Sequence, residues 1–176
     1  MQDVNDLMAR VKDGDRHAFD EIVVLHRKAA ILFAYSFVSD FYVAEDIVQD
    51  CFVKIYVIRE SYKQTYSFKT YLYTMIRNRA IDHLRANNVK RKYLQTEIER
   101  QELSAEEEVL FEERYDEIAE VFNNLKGERR TALYLYAVSE LSYKEIAVIM
   151  RRTVPQIKII IYRARKELQE SWEKKL

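Results

Sequence analysis

Few side chains in this sequence have a type or spacing that supports covalent chemistry. Cys51 is the one thiol, and His17, His26 and His83 are scattered along 176 residues. No Cys/His spacing resembles a zinc site, and no carboxylate pair, triad or phosphate loop occurs. An enzyme, a metal site and a bound cofactor are therefore not expected. Cys51 falls in an apolar helical stretch, where it reads as a small buried hydrophobe. What recurs instead is cationic and aromatic. Lys158, Tyr162, Arg163 and Lys166 cluster around Ile159, and Tyr62, Lys63 and Tyr66 precede Lys69, Arg77 and Arg85. Such groups neutralise phosphates and stack on bases, the chemistry of nucleic-acid contact.

The elements that must position these groups are helices. Gly14 and Gly127 are the only glycines and Pro155 the only proline, too few breakers for strands joined by tight turns. An all-α protein of two small domains joined by a charged linker is predicted. Its formal net charge of zero hides a pattern. Residues 1–60 hold 11 acids against 7 bases, and residues 77–93 hold 6 bases against 1 acid. Residues 97–117 hold 10 acids against 2 bases, and residues 142–176 hold 9 bases against 4 acids. Two basic segments with an acidic one between them point to two anionic contacts and a non-binding connector. The expected boundaries are a helical bundle over 1–92, a linker over 93–114 and a second helical unit over 115–176, with Ile118, Val121, Phe122 and Leu125 as its first core positions. The longest apolar run, Ala29 to Val38, is half a membrane span, and the segment from Met1 to Asp6 is acidic where a signal peptide is basic. A soluble, cytoplasmic protein is expected.

Within the bundle, helices are predicted near Val4–Lys12, from Asp15 as cap through the Ala29–Val38 run, over Ala44–Ile58 and over Phe68–Arg85, with a loop from Glu60 to Ser67. In the third helix Ala44, Ile47, Val48, Cys51, Ile55 and Ile58 form the apolar stripe. The opposite side carries Asp46, Gln49, Asp50 and Val53, with Tyr56 and Val57 beside them, a mixture typical of a protein-binding patch. In the fourth, Leu72, Ile76, Ala80 and Leu84 line one side, Thr74, Asn78 and Arg85 the other, with Arg77 between.

The C-terminal segment from Leu141 to Lys158 has the form of a helix-turn-helix. Ser142 with Glu145, and Thr153 with Gln156 eleven residues later, each read as a capping box. Val154 and Pro155 fall in the first turn of the second helix, where proline costs no hydrogen bond. Val154, Ile157, Ile161, Ala164 and Leu168 then recur at intervals of 3, 4, 3 and 4. At about 100° per residue, Ile159, Tyr162, Arg163 and Lys166 project away from that stripe, flanked by Lys158 and Arg165. Such a face suits the major groove. An exposed Ile159 would be explained by a thymine methyl, or by contact with protein. A plain helical hairpin is the bland alternative.

Read together, these segments resemble the RNA polymerase sigma factors of the extracytoplasmic-function group. Ala44-Glu-Asp-Ile-Val-Gln-Asp-Cys-Phe-Val-Lys-Ile-Tyr is similar to region 2.2, which docks on the polymerase β′ subunit. Phe68-Lys-Thr-Tyr-Leu-Tyr-Thr-Met-Ile-Arg-Asn-Arg-Ala-Ile-Asp-His-Leu-Arg is similar to regions 2.3–2.4, which melt and read the −10 element, and Leu141–Leu168 to region 4.2, which reads the −35 element. The order is right and the likeness spans nearly the whole chain.

The resemblance implies polymerase docking through Asp46, Gln49, Asp50, Val53 and Lys54, with Phe52 either in that segment or in the core. It implies −10 contacts from Tyr62, Lys63, Tyr66, Lys69, Arg77, Asn78 and Arg85, and −35 contacts from Lys158, Ile159, Tyr162, Arg163 and Lys166. Its implied partners are core RNA polymerase through the β and β′ subunits, promoter DNA and an anti-sigma factor, which in many members is membrane-tethered. It places the acidic linker along the polymerase's RNA path. Tyr71 stands where the group usually has Trp, and Pro155 where it often has Gly. Ile159 and Ile160 stand where the group has small polar or basic residues, which bears on the promoter sequence. A stand-alone helix-turn-helix regulator binding a palindrome as a dimer, or a helical scaffold, would leave the Ala44–Ile58 patch or the basic segments unexplained.

Overall fold

The computed structural model describes residues 4–63, 65–94, 125 and 127–173. Every regular element among them is helical: α1 (Val4–Lys12), α2 (Arg16–Val38), α3 (Phe41–Val57), a 3-10 turn (Arg59–Ser61), α4 (Phe68–Leu94), α5 (Glu128–Ala137), α6 (Tyr143–Met150) and α7 (Val154–Glu173). The all-α expectation holds. The chain divides into two compact units, Met1–Thr96 and Glu97–Leu176.

In the first unit, α1 turns Leu7, Met8 and Val11 inward. Gly14, at φ +94°, then reverses the chain in a conformation that a Cβ would strain. Asp15 caps α2 by accepting the Ala18 N–H at 3.2 Å, as read from the sequence, and it also meets Arg10 at 2.6 Å. The Arg10 hydrogen bond is the main reason the Asp15 carboxyl sits below the usual carboxylate range. At the far end of α2, Ser39 adopts φ 53° and donates its backbone N–H to the Tyr35 carbonyl. Asp40 immediately caps the next helix, accepting the Val43 N–H at 3.0 Å. That cap starts α3 at Phe41, three residues earlier than its apolar pattern predicts.

Ala44, Ile47, Val48, Cys51 and Ile55 are buried as their stripe requires. Phe52 is buried too, which settles its place in favour of the core. Burial pushes the Cys51 thiol up to about 11, so it behaves as the inert hydrophobe expected. From α4, Leu72 and Ile76 are fully buried, and each such side chain contributes roughly 1.5–3 kcal/mol. Phe33 of α2 meets Tyr73 of α4 edge-on at 4.7 Å. The helix α4 continues nine residues past Arg85. No apolar stripe marks that extension, but Ala86, Lys90, Arg91 and Leu94 are all good helix formers.

In the second unit, Leu125 is fully buried beside Ala132, Leu133 and Leu135 of α5, Ile146 and Ile149 of α6, and Ile157, Ile161 and Ala164 of α7. Arg129 of α5 pairs with Glu167 of α7 at 2.5 Å, and Arg152 pairs with Glu128. The predicted linker beyond Leu94, and Ile118, Val121 and Phe122, lie outside the described residues.

Candidate nucleic-acid and protein interfaces

Both capping boxes form. Ser142 Oγ accepts the Glu145 N–H at 3.3 Å, and the Ser142 N–H donates to Glu145 Oε2 at 3.0 Å. The Gln156 N–H reaches Thr153 Oγ1 at 3.4 Å, and the Thr153 N–H donates to Gln156 Oε1 at 2.9 Å. Between them, Arg151 takes φ 54° and the Arg152 N–H returns to the Ala147 carbonyl at 3.0 Å, closing α6 in a left-handed cap. Two fixed ends leave a two-turn α6, a tight turn and α7, the geometry of a helix-turn-helix.

With Ile157, Ile161 and Ala164 buried, α7 turns Ile159 and Tyr162 outward, 51% and 68% exposed. Arg163 and Lys166 are exposed beside them. Lys166 also approaches Glu170 at 3.7 Å, which offsets part of its charge. Ile160 and Leu168 are half-buried at the edges of the stripe. Lys158 and Arg165, seven residues apart and so nearly in phase, sit on one flank. There Lys158 lies over the Tyr143 ring at 5.9 Å and Arg165 over the Tyr136 ring at 4.8 Å. The two rings stack on each other with centroids 5.2 Å apart. Hydrogen bonds from Arg165 and then Tyr143 hold the Tyr136 hydroxyl below its ordinary pKa, and Tyr143, as the donor to Tyr136, is raised. Neither tyrosine stands out in the sequence. Both belong to a chain with 13 tyrosines, and nothing in their local spacing marks them as neighbours.

On α3 the expected protein-binding side is exposed: Asp46, Gln49, Asp50, Val53 and Lys54 all face outward, with Val53 62% and Val57 68% exposed. Asp50 is held toward α4 by Arg79 at 3.2 Å. Gln49, Val53 and Val57 also line a groove of about 480 Å³ between α2 and α3. Phe19 and Val23 of α2 form its other wall, with Arg16 and Arg27 at its rim. Phe19 and Val23 are half-buried, where α2 opens onto the groove.

Tyr62, expected as an aromatic contact for unpaired bases, is 6% exposed. Its ring packs against Tyr71 at 5.2 Å and Phe68 at 6.5 Å, and burial raises its hydroxyl pKa. Aromatic contacts with α4 win over exposure, so in this conformation the Tyr62 ring is a strut between the loop and α4. Lys63 is exposed, and Tyr66 is 51% exposed.

Along α4, Tyr71, Asn78 and Arg85 are spaced by seven and share one stripe, while Lys69 lies about 180° from Asn78. Lys69 is half-buried toward α2, close enough for its charge to act on His26. It is therefore separated from the stripe that Asn78 and Arg85 share. Arg77 and Asn78 are half-buried, and Arg85 is exposed with Asp82 at 3.8 Å. Among the described residues no group of His, Cys, Asp and Glu could hold a metal ion, and no helix is long and apolar enough to cross a membrane.

These two units have counterparts among known proteins. The sigma-70 region 2 family model matches residues 22–89, and the sigma-70 region 4 model matches residues 115–168. The ECF RNA polymerase sigma factor SigW of Bacillus subtilis is 30% identical over 176 residues, covering 92% of each protein. The ECF RNA polymerase sigma-E factor of Escherichia coli K12 is 29% identical over 175 residues, covering 92% of this chain and 90% of its own. Among solved structures, the sigma factor RpoE in complex with the anti-sigma factor NepR from Bartonella quintana matches with TM-score 0.68 at 24% identity, over 88% of this chain and 96% of that one. CnrH in complex with the cytosolic domain of CnrY matches with TM-score 0.67 at 23% identity, over 96% of both.

Proposed function

The chain belongs to the extracytoplasmic-function group of RNA polymerase sigma factors, and from that premise we propose how its surfaces divide the work of promoter-specific transcription initiation. The unit built from α1 to α4 docks on core polymerase through the outward side of α3, with Asp46, Gln49, Asp50, Val53 and Lys54 in contact. The groove between α2 and α3 continues that surface, since Gln49 and Val53 belong to both. Lys63 and Tyr66 meet unpaired −10 bases, and Asn78 and Arg85 extend the contact along one side of α4. That stripe runs from Tyr71 to Arg85, about 21 Å at 1.5 Å per residue, a length suited to several nucleotides of an extended strand. Tyr62 acts from inside.

The unit that contains α5 to α7 reads −35 duplex DNA. The observation that carries this reading is the outward face of α7, where Ile159, Tyr162, Arg163 and Lys166 stand exposed opposite the buried Ile157, Ile161 and Ala164, on a helix that opens with a formed capping box. Lys158 serves the phosphates from the flank. The chain acts by binding, as a specificity subunit in the cytoplasm with no catalytic chemistry of its own. A dimeric regulator binding a palindrome is not favoured by the family assignment, and it leaves the α3 side without a role.

An anti-sigma factor is a further partner in this reading. The RpoE chain of the same fold is held by one, so the surfaces offered to polymerase are where such a partner would compete.

The experiment is reconstitution. Purified protein is mixed with core RNA polymerase of its host and tested for comigration and for transcription from a library of promoter fragments. Core binding with selective initiation is the expected result, and the selected fragments give the promoter sequence. Tight duplex binding as a dimer without core association would overturn the proposal.

A further inference from the structure

The Tyr62 strut is held from an unexpected direction. Lys12, the last residue of α1, donates its ammonium to the Tyr62 carbonyl at 2.6 Å across fifty residues of sequence. The same ammonium lies 5.5 Å from the Tyr62 ring centroid. Lys12 is itself fixed in place: Leu7, Met8 and Val11 anchor α1 below it, and the Arg10–Asp15 pair ties the end of α1 to the start of α2. Tyr62 is thus gripped at its carbonyl by Lys12 and at its ring by Tyr71 and Phe68.

This grip bears on the residues just after Tyr62. Hydrogen bonding a carbonyl fixes the plane of its peptide group, and that plane sets the direction in which the next residue leaves. The next residue is Lys63. Beyond it the Thr65 N–H meets the Lys63 carbonyl at 2.8 Å, and the Ser67 hydroxyl meets that of Thr70 at 2.9 Å at the start of α4. Among the described residues, the next regular element is α4, from Phe68.

We infer that Lys12 is a positioning residue for −10 recognition, holding the Tyr62–Lys63 peptide so that Lys63 and Tyr66 are presented to unpaired bases. Lys12 touches no DNA in this role. It acts through Tyr62, and the inference rests on the loop reading given above.

The test uses full-length protein bound to core polymerase and a pool of random-sequence single-stranded deoxyoligonucleotides, with the retained fraction sequenced and its affinity measured. Lys12→Met keeps the aliphatic stem and removes the charge. It is expected to lower affinity for the wild-type-selected sequences about tenfold, at most the value of one charge-assisted hydrogen bond, and to broaden the base preference. Core association and −35 duplex binding are expected to stay unchanged, and Lys12→Arg, which retains a donor, is expected to restore most of the affinity. Tyr66→Ala and Lys63→Ala report on the loop itself. If these weaken oligonucleotide binding while Lys12→Met binds with unchanged affinity and base preference, the role of Lys12 is overturned and the loop reading stands. Should Tyr66→Ala and Lys63→Ala also bind normally, the loop reading fails and the role of Lys12 falls with it. A loss of core association in Lys12→Met equal to the loss of oligonucleotide binding would make Lys12 a general stability residue and likewise overturn the inference.

Discussion

Tyr136 of α5 and Tyr143 of α6 stack with centroids 5.2 Å apart and planes within 15°, and each ring carries a cation from α7. Facing quadrupoles favour an offset, and cations over the rings compensate for what the parallel arrangement gives up. The stack links α5, α6 and α7 on the flank of α7, beside the proposed −35 reading face. It restrains two long cationic side chains that would otherwise sample many rotamers. Tyr136→Ala should lower stability by about 1–2 kcal/mol, from the lost stacking and cation contacts. It should also weaken duplex binding severalfold, because Arg165 and Lys158 lose their orientation. Thermal melts and duplex titrations check both. Tyr143→Phe keeps the ring and serves as the control.

On the outward face of α7, Arg163→Ala should cost about 1–3 kcal/mol of −35 binding if its guanidinium reads a base, with specificity relaxed at one position. If it holds a phosphate, affinity should fall on all sequences and the salt slope should shrink by about 1. Core association should be untouched in either case, and an equal loss there would contradict the division of labour. If Ile159 packs on a thymine methyl, Ile159→Asn should shift the preferred base away from thymine in a selection experiment, and an unchanged preference would leave contact with protein as its role.

Val53 offers a direct probe of the α3 side. At 62% exposure it contributes little to the fold, so Val53→Glu should leave the melting temperature within about 0.5 kcal/mol equivalent of wild type. A charge at the mouth of the α2–α3 groove should nonetheless weaken core polymerase association by about tenfold or more. The pair Gln49→Ala with Asp50→Ala should act in the same direction, and unchanged association in both variants would remove α3 from the interface.

His26 gives the first unit a pH dependence. Burial chiefly, and the Lys69 charge secondarily, pull its pKa from 6.5 down to about 4, and its ring sits 5.3 Å from Phe68. Its Nε2 is buried with no hydrogen-bond partner, so protonation inside the fold gains nothing. The unfolded chain takes up the proton near pH 6.5 and the folded chain does so only near pH 4. The contribution of the neutral ring is therefore complete above pH 6.5 and is lost as pH falls toward 4, by about 2 kcal/mol once partial solvent access is allowed for. Chemical denaturation across that window should show this slope, and His26→Phe should flatten it. An unchanged slope in His26→Phe would place the titrating group elsewhere.

Much of the architecture was legible in the sequence because its signals are local. A capping box joins residues three apart, and an apolar stripe joins residues three or four apart, so Ser142 with Glu145, Thr153 with Gln156 and the run from Val154 to Leu168 each declare themselves. Asp15 as a cap and the Ala44–Ile55 stripe as core are legible for the same reason. The start of α3 is placed too late by its stripe because Asp40 precedes two aromatic residues, Phe41 and Tyr42, outside that stripe. The end of α4 is placed too early because the Leu72–Leu84 stripe that marks the helix in the sequence does not continue past Arg85.

By itself, then, the sequence determined most of the helices, the caps at Asp15, Ser142 and Thr153, the sides those helices bury and the family to which they add up. Which polar and aromatic groups stand together was decided by the tertiary structure alone. Tyr62 has the look of a base-stacking residue from its neighbours Lys63 and Tyr66, and goes inside because Tyr71, Phe68 and Lys12 converge on it. Phe19 and Val23 become a groove wall only when α3 is laid beside α2. Tyr136 finds Tyr143 only when α6 folds back across α5. Each of these depends on contacts between separate elements, whose free energy comes from burial and ring geometry in three dimensions and leaves no periodic trace along the chain.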